Sequence, residues 1–289
     1  MKEVKDCITE REEYTILEKN GVKITVRELQ LELLTIMDEI HRVCEKNNIK
    51  YGLIAGSALG IVNYKGFIPW DDDIDIFMPR EDYNKFIKTC NDKEIDENYC
   101  LKSIERNNSK YPFAKVVNNK IIIQSKSSED RNLWIDIFPI DGFPEDYETS
   151  VKQTKKIEFG KGLIYLHNTS FGDILKERKS IKNKIQKIIL KPIAMVIPTK
   201  KISMAMIKIA TKYKYSESKF VGGYIWGYGI CERLEKEKFV SEAIKMEFEG
   251  NEFNVPKGYD LYLTSIYGEY MKLPPEDKRI THNILAKKL

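Results

Sequence analysis

The segment of residues 70–78 constrains the fold more than any other, because it places four carboxylates within five positions beside strongly apolar residues. A chain buries such a segment only if something neutralises the charges, since isolated buried carboxylates are costly. If the segment is a strand, Asp73 and Asp75 point to one face while Ile74 and Ile76 point into the core. Two carboxylates on one face predict a site for Mg²⁺ or Mn²⁺, whereas a solvated acidic turn rarely alternates with isoleucine.

A second segment repeats this pattern with a single acid. In Trp-Ile-Asp-Ile-Phe, residues 134–138, the residue Asp136 lies between Ile135 and Ile137 and would face away from them on a strand. It offers a third carboxylate. An EF-hand is excluded for the first segment, because the loop lacks the glycine and the glutamate at that motif's sixth and twelfth positions.

The apolar periodicity predicts helices alternating with strands. Apolar residues recur at three- and four-residue intervals across residues 26–47, which indicates an amphipathic helix. Further helices are predicted at residues 57–64 and 80–87, and strands at 51–55, 74–78, 101–105, 113–118, 121–125 and 134–140. Asn118-Asn119 would form a tight hairpin turn. The fold class predicted is α/β, in the α+β sense, with a mixed sheet and flanking helices.

Composition limits the possible partners and the compartment. The net charge of +4 arises from 48 basic and 44 acidic residues, which is too small an excess to indicate nucleic-acid binding. Five widely spaced cysteines without a CxxC pair favour reduced thiols over disulfides or zinc. We find neither a secretory signal pattern nor a long uncharged apolar stretch, and therefore expect a cytoplasmic protein.

The charge distribution suggests three regions. Residues 151–219 contain seventeen lysines and arginines against four acidic residues, with helical spacing of the apolar positions in residues 181–190. We therefore expect a catalytic core at residues 1–145 and a basic helical insertion at residues 146–235. A C-terminal segment at residues 236–289 would complete the active site.

Gly56-Ser57 follows the predicted strand at residues 51–55. Glycine lets a backbone approach phosphate closely, and amides at a helix start donate hydrogen bonds to its oxygens. The combination of Gly-Ser after a strand, Asp-x-Asp on the next strand and a later lone Asp136 resembles the signature of the nucleotidyltransferase-fold superfamily.

The longer motifs resemble the LicD family, which also includes the fukutin-related ribitol-phosphate transferases. They are Gly-Ser-Ala-Leu-Gly at residues 56–60 and Lys-Gly-Phe-Ile-Pro-Trp-Asp-Asp-Asp-Ile-Asp-Ile at 65–76. The similarity extends through residues 113–116 and 134–142 and a closing block between Val255 and His282. One departure is Asn63-Tyr64, where family members often have arginine and histidine. This departure affects the identity of the donor or acceptor rather than metal binding.

The resemblance implies an Mg²⁺-dependent phosphotransferase. Asp73, Asp75 and Asp136 would bind the metal and be catalytic, with Asp136 activating an acceptor hydroxyl. Donor and phosphate contacts would come from Gly56, Ser57, Lys115, Asp71, Asp72, Trp70, Arg279 and His282.

The resemblance also implies a CDP-linked donor, CDP-choline above all, and a cell-surface glycan acceptor such as teichoic acid or lipopolysaccharide. A lipid-linked acceptor would bring the basic insertion to the inner membrane face. The quaternary ammonium of choline would suit an aromatic pocket, for which Tyr64, Trp70, Trp134 and Trp226 are candidates.

Several alternatives remain open from sequence. The same chemistry serves ribitol, glycerol or ethanolamine phosphate, and a similar metal site transfers the nucleotide itself from a nucleoside triphosphate. A glycosyltransferase also uses Asp-x-Asp, but the preceding Gly-Ser and the later Asp136 argue against it. A binding protein without catalysis normally loses an acidic ligand, and all three acids are present.

Overall fold

The fold is described from a computed structural model. It covers residues 15–16, 24–90, 94–124, 132–176, 180–275, 279 and 285–288. The strands are β1 (Thr15–Ile16), β2 (Ile24–Thr25), β3 (Gly52–Leu53), β4 (Asp75–Pro79), β5 (Tyr99–Lys102), β6 (Ala114–Gln124), β7 (Asn132–Phe143), β8 (Phe220–Gly222), β9 (Leu234–Glu235), β10 (Ala243–Phe248), β11 (Asn251–Pro256) and β12 (Leu285–Lys288). The helices are α1 (Val26–Lys46), α2 (Ala55–Tyr64), α3 (Arg80–Thr89), α4 (Tyr147–Asn168), α5 (Phe171–Lys176), α6 (Ile181–Val196), α7 (Thr199–Ala210), α8 (Lys236–Phe239) and α9 (Tyr259–Tyr267), with a short 3₁₀ helix at Ile230–Glu232.

The main sheet is mixed, as the sequence predicted. Five of its eight strands follow the order β12, β6, β7, β4, β3, while β5 pairs with β6 and β8 joins β7 to β9. Strands β4 and β7 are parallel, and the other neighbouring pairs described in this sheet are antiparallel. The parallel pair therefore brings two segments that are far apart in sequence side by side.

Helix α1 confirms the periodicity read from residues 26–47. It begins with a capping box, in which the Thr25 hydroxyl accepts from the Glu28 amide and the Glu28 carboxylate accepts from the Thr25 amide. Its apolar stripe, which includes Leu33, Ile36 and Ile40, is fully buried against the sheet. This contact forms the larger of the apolar cores.

The predicted hairpin at Asn118-Asn119 is wrong, because β6 runs without interruption from Ala114 to Gln124. Asn118 pairs with Leu133 of β7, but Ile122 pairs with the adjacent Asn132, so residues 119–121 form a bulge. The Asn118 side chain accepts from the Lys120 amide within this bulge. The C-terminal half of β6 also pairs with β12, a long-range partner that local turn chemistry does not reveal.

The basic region folds as helices α4 to α7, which bury a second apolar core with Ile157, Ile164 and Met206. After these helices, β8 returns to pair with the end of β7. The domain limits expected at residues 145 and 235 stay predictions. None of the helices in the described ranges combines the length and apolar character that crossing a bilayer requires.

The cysteines fit the prediction of reduced thiols wherever they are described. Cys44, Cys90, Cys100 and Cys231 are free, with the first two buried. Cys7 lies outside the described residues.

A buried ion pair joins the ends of the parallel strands. Arg80 begins α3 directly after β4, and Asp141 lies near the end of β7. The Arg80 guanidinium donates from Nε to Asp141 Oδ1 at 2.7 Å and from a terminal nitrogen to Oδ2 at 2.6 Å. Both side chains are buried, so each charge depends on the other.

We expect Arg80→Ala to lower the free energy of unfolding by about 3–5 kcal/mol, because Asp141 would be left buried without its counter-ion. Urea denaturation measures this loss. A matched control is Lys65→Ala, which breaks the solvent-exposed Lys65–Glu247 pair and should cost less than about 1 kcal/mol. Equal effects of the two substitutions would contradict the structural role assigned to Arg80.

Candidate active site

The three predicted catalytic acids come together at the parallel pair. Asp75 on β4 lies directly beside Asp136 on β7 in the strand register, and Asp73 precedes β4 by two residues. All three line one cavity of about 330 Å³. The sheet thus unites carboxylates separated by more than sixty positions in the chain.

Alternation with isoleucine places the acids on the face of the sheet that lines the cavity. Ile74, Ile76, Ile135 and Ile137 are fully buried on the core side of the strands, as the sequence predicted. Because successive strand residues face opposite sides, burial of the isoleucines turns Asp75 and Asp136 towards the cavity. A one-residue shift in register would bury the acids instead.

Gly56 and Ser57 lie in the first turn of α2 rather than in a turn before it, because the helix begins at Ala55. The Ser57 hydroxyl accepts a hydrogen bond from the Asp75 amide at 2.9 Å. A side chain on Gly56 would have its Cβ only 2.6 Å from Asp71 Oδ2. Gly56 therefore permits close approach of the acidic loop, and the helix N-terminus favours negative charge near it.

Lys115 is buried, not exposed as a strand lysine usually is. Its register partner across β6 and β7 is Asp136, and its Nζ lies 3.5 Å from Asp136 Oδ1. The ammonium also lies 3.9 Å from the centre of the Trp134 ring. Lys115 lines neither of the two cavities at the site, so it contacts Asp136 from the neighbouring strand β6 rather than through a cavity.

A second cavity, of about 660 Å³, shares Asp73, Asp75 and Tyr228 with the first. Gly56, Trp70 and Asp71 line it, together with the Asn63-Tyr64 pair that departs from the family pattern. Asp72 is buried and lines neither cavity. The two cavities thus meet at the Asp-x-Asp motif.

The C-terminal candidates are placed only in part. Arg279 lies beside Trp70, with its guanidinium carbon 5.6 Å from the ring centre, and its Nε donates to the Pro274 carbonyl at 3.0 Å. Pro274 itself lines the larger cavity. His282 lies outside the described residues.

In the Gly-rich segment 222–232, sequence reasoning named Trp226 but missed the other cavity residues, Tyr228 and Glu232. Trp226, Tyr228 and Glu232 line the smaller cavity, and the Tyr228 hydroxyl lies 3.0 Å from that of Tyr267. A Cβ on Gly227 would meet Glu232 Oε2 at 1.7 Å, which explains the glycine. The density of glycines and aromatics in Gly-Gly-Tyr-Ile-Trp-Gly-Tyr-Gly was the available signal.

Comparison with known proteins agrees with the geometry. The family model described as "LicD/FKTN/FKRP, nucleotidyltransferase domain" matches residues 48–174, which include the three acids. The lipopolysaccharide cholinephosphotransferase LicD of Haemophilus influenzae is 33% identical over 268 residues, covering 91% of this chain and 97% of the relative. The chain belongs to the LicD family. An uncharacterized Rickettsia prowazekii protein is 29% identical over 149 residues, 51% of this chain and 54% of its own.

Membership of the LicD family makes this chain an enzyme, a phosphotransferase, and confirms the resemblance read from its motifs. The family match ends at residue 174. Glu232 and the aromatic residues around it therefore lie beyond the matched domain, although they line the same cavity as the LicD acids.

The acids of this LicD site repel one another. Burial raises the pKa of Asp75 well above its ordinary value of 3.8, and the nearby Asp73, Asp136 and Asp71 raise it further, while Lys115 opposes them. No group of three or more His, Cys, Asp and Glu side chains in the described ranges is already gathered as a metal site. The oxygen-only donors and their mutual repulsion nevertheless fit a hard divalent cation.

We expect Asp75→Asn to raise the Tm of the metal-free protein. The pKa of Asp75 is higher in the folded than in the unfolded state, so ionising it destabilises the fold as the pH rises above 3.8. The gain should be absent below pH 3.8 and grow towards neutral pH. Thermal denaturation in EDTA across this range measures it.

A suitable control is Glu148→Gln, which removes an exposed carboxylate on α4 and should leave Tm nearly unchanged. A lower Tm for Asp75→Asn at neutral pH would contradict the repulsion inferred for the acidic cluster.

Proposed function

We propose that the enzyme transfers phosphocholine from CDP-choline to a hydroxyl of a cell-surface glycan, such as lipopolysaccharide or teichoic acid, and releases CMP. The observation that carries this proposal is the convergence of Asp73, Asp75 and Asp136 on one cavity of a LicD-family chain. The Haemophilus influenzae relative is a lipopolysaccharide cholinephosphotransferase, which supports the group moved and the kind of acceptor.

Mg²⁺, or Mn²⁺ in its place, is the cofactor we propose. Asp73, Asp75 and Asp136 would hold it, because carboxylate oxygens are the ligands these ions prefer and because a dication relieves the repulsion that raises the pKa of Asp75. When bound, the ion offsets negative charge on the transferring phosphoryl group.

The protein's own groups orient the reaction. The bond from Ser57 to the Asp75 amide fixes the start of β4, and the α2 N-terminus presents positive partial charge to phosphate. We assign Asp136 the role of general base. Its carboxylate accepts the proton of the glycan hydroxyl while the hydroxyl oxygen forms a bond to the β-phosphorus of the donor. The bond between that phosphorus and the CMP oxygen breaks at the same time. Lys115 would hold the Asp136 carboxylate in place.

We expect purified protein with Mg²⁺, CDP-choline and a glycan acceptor to release CMP, and EDTA to abolish the release. Asp75→Asn and Asp136→Asn should each lower the rate by roughly 100-fold or more, since each removes charge from the reacting centre. Glu148→Gln serves as the control. Chromatography of the nucleotide products measures the effect.

The products also separate the alternatives. CMP from CDP-ethanolamine, CDP-ribitol or CDP-glycerol in preference to CDP-choline would change the group we assign. Pyrophosphate from CTP or ATP, without CMP from any CDP-alcohol, would replace the proposal with nucleotidyl transfer.

We also propose peripheral contact with the inner membrane face, made by an apolar face of α6. Ile181, Ile185, Ile189 and Ile193 recur every four residues, and all are exposed, Ile181 to 76%. Four-residue spacing places them along one side of the helix. The exposed Lys182 lies beside this isoleucine face and suits anionic lipid.

Not every lysine of the basic region is available to lipid. Lys191 is buried, and its Nζ donates to the carbonyls of Leu166 and Thr169 at 2.8 and 2.6 Å. Lys200 is also engaged, donating to Asn107 Oδ1 at 2.7 Å. The contact we propose therefore rests on the isoleucine face more than on the net charge of the region.

We expect the double variant Ile185→Gln, Ile189→Gln to bind phosphatidylglycerol-containing vesicles at least about tenfold more weakly than the wild type, because two apolar anchors are lost. Vesicle co-sedimentation at low and high salt measures this. Leu31→Gln, an exposed apolar residue on α1, is the matched control. Unchanged binding of the double variant would contradict the contact.

A further inference from the structure

The smaller cavity combines two kinds of lining residue. One kind is the acidic cluster, Asp73, Asp75 and Asp136. The other is a set of aromatic rings, supplied by Phe77, Phe138, Trp226, Tyr228, Phe239 and Tyr262. The acids account for metal and phosphate chemistry, but the rings need a different explanation.

The aromatic walls hold one another in place. Tyr262 stacks on Phe239 with the ring centres 5.2 Å apart, and Phe77 lies 5.9 Å from Phe239. Trp226 and Phe138 both pack on Phe113, at 5.1 and 4.8 Å. Contacts of this kind favour fixed ring positions, so the cavity presents preformed aromatic faces.

Apart from tyrosines, the ionisable side chains among the described residues that line the cavity are all carboxyls. Glu232 lines it as a fourth carboxylate, 2% exposed, with Oε1 accepting from the Tyr262 hydroxyl at 3.2 Å. No lysine or arginine is among the described residues that line it. Lys161 does not line the cavity, but its Nζ donates to the Gly227 carbonyl at 2.6 Å, and its charge lowers the pKa of Glu232 against the larger effect of burial.

We propose that this cavity is the choline subsite, in which the rings of Trp226, Tyr228 and Tyr262 contact the quaternary ammonium and Glu232 supplies the opposing charge. The inference rests on the proposed function, since it names the site for the choline part of the donor. A quaternary ammonium suits such walls because it carries a positive charge but has no N–H group that requires a hydrogen-bond acceptor.

The same lining disfavours the other alcohol groups that a CDP-linked donor could carry, and it also disfavours the nucleotide part of the donor. A ribitol or glycerol group carries no positive charge for the rings and Glu232 to attract, and an ethanolamine ammonium lacks the three methyl groups that would pack on the aromatic walls. Cytidine likewise carries no positive charge for the rings and Glu232 to attract. The CMP part therefore belongs outside this cavity, on the side of the larger one that also meets Asp73 and Asp75.

The four aromatic residues expected from sequence for choline binding separate in the structure. Trp226 lines the smaller cavity, whereas Tyr64 and Trp70 line the larger one. Trp134 instead covers Lys115. Of the remaining rings, Tyr228 lies in the Gly-rich segment, and Phe239 and Tyr262 lie in the C-terminal segment.

Direct binding tests the subsite without turnover. Isothermal titration calorimetry of the metal-free protein would compare the affinities for choline and tetramethylammonium with the affinity for 3,3-dimethyl-1-butanol, the neutral carbon analogue of choline. We expect the two cations to bind and the alcohol to bind at least about tenfold more weakly, because it lacks the charge. Trp226→Leu and Glu232→Gln should each weaken choline binding by about tenfold or more.

Matched controls are Phe159→Leu and Glu148→Gln, which change an exposed ring and an exposed carboxylate on α4. Thermal denaturation verifies folding, and Tyr228→Leu replaces Glu232→Gln if the buried substitution prevents folding. No binding of either cation to the folded wild type, or equal binding by the Trp226 variant, would overturn the subsite. The subsite would also be overturned if Trp226→Leu lost CMP binding but kept choline binding.

Turnover separates this inference from the proposed function. Trp226→Leu should raise KM for CDP-choline about tenfold with a smaller change in kcat, and should reduce the preference over CDP-ethanolamine. If the variant turns over CDP-choline with an unchanged KM and an unchanged preference over CDP-ethanolamine, the choline subsite is overturned but the proposed function is not. Choline binding without CMP release from any donor would overturn the proposed function while leaving the site for a quaternary ammonium standing.

Discussion

The parallel pairing of β4 with β7 is the constraint on which the active site depends. It sets Asp75 beside Asp136 and places Lys115, on the neighbouring strand, within 3.5 Å of Asp136. The bidentate bond between Arg80 and Asp141 holds the ends of the same two strands together. Loss of this pairing would separate the acids while leaving each of them on an intact strand.

The site is built at the expense of stability. Burial and repulsion raise the pKa of Asp75, which means that the acidic cluster by itself opposes folding at neutral pH. The apolar core between α1 and the sheet, with Leu33, Ile36 and Ile40 fully buried, offsets that cost. Such local conflict within an otherwise consistent fold is typical of functional sites.

The cavity draws on distant parts of the chain. The acids come from the region matched by the family model, while Trp226, Glu232 and Tyr262 come from segments beyond it. Glu232 is buried, and its burial raises its pKa to about 7, so a cation in the cavity would favour its ionised form. Trp226, Glu232 and Tyr262 thus line one cavity with the acids although they lie far from them in the sequence.

Sequence alone determined the acids, the helix at residues 26–47, the mixed fold class and the family, because alternation with isoleucine and helical spacing are local patterns. It placed a hairpin at Asn118-Asn119, where pairing with both β7 and β12 instead keeps β6 continuous. Only the tertiary structure decided that Lys115 is buried beside Asp136 and that Glu232 lines the cavity. Those facts depend on contacts between segments far apart in the chain, and local spacing carries no record of which segments meet.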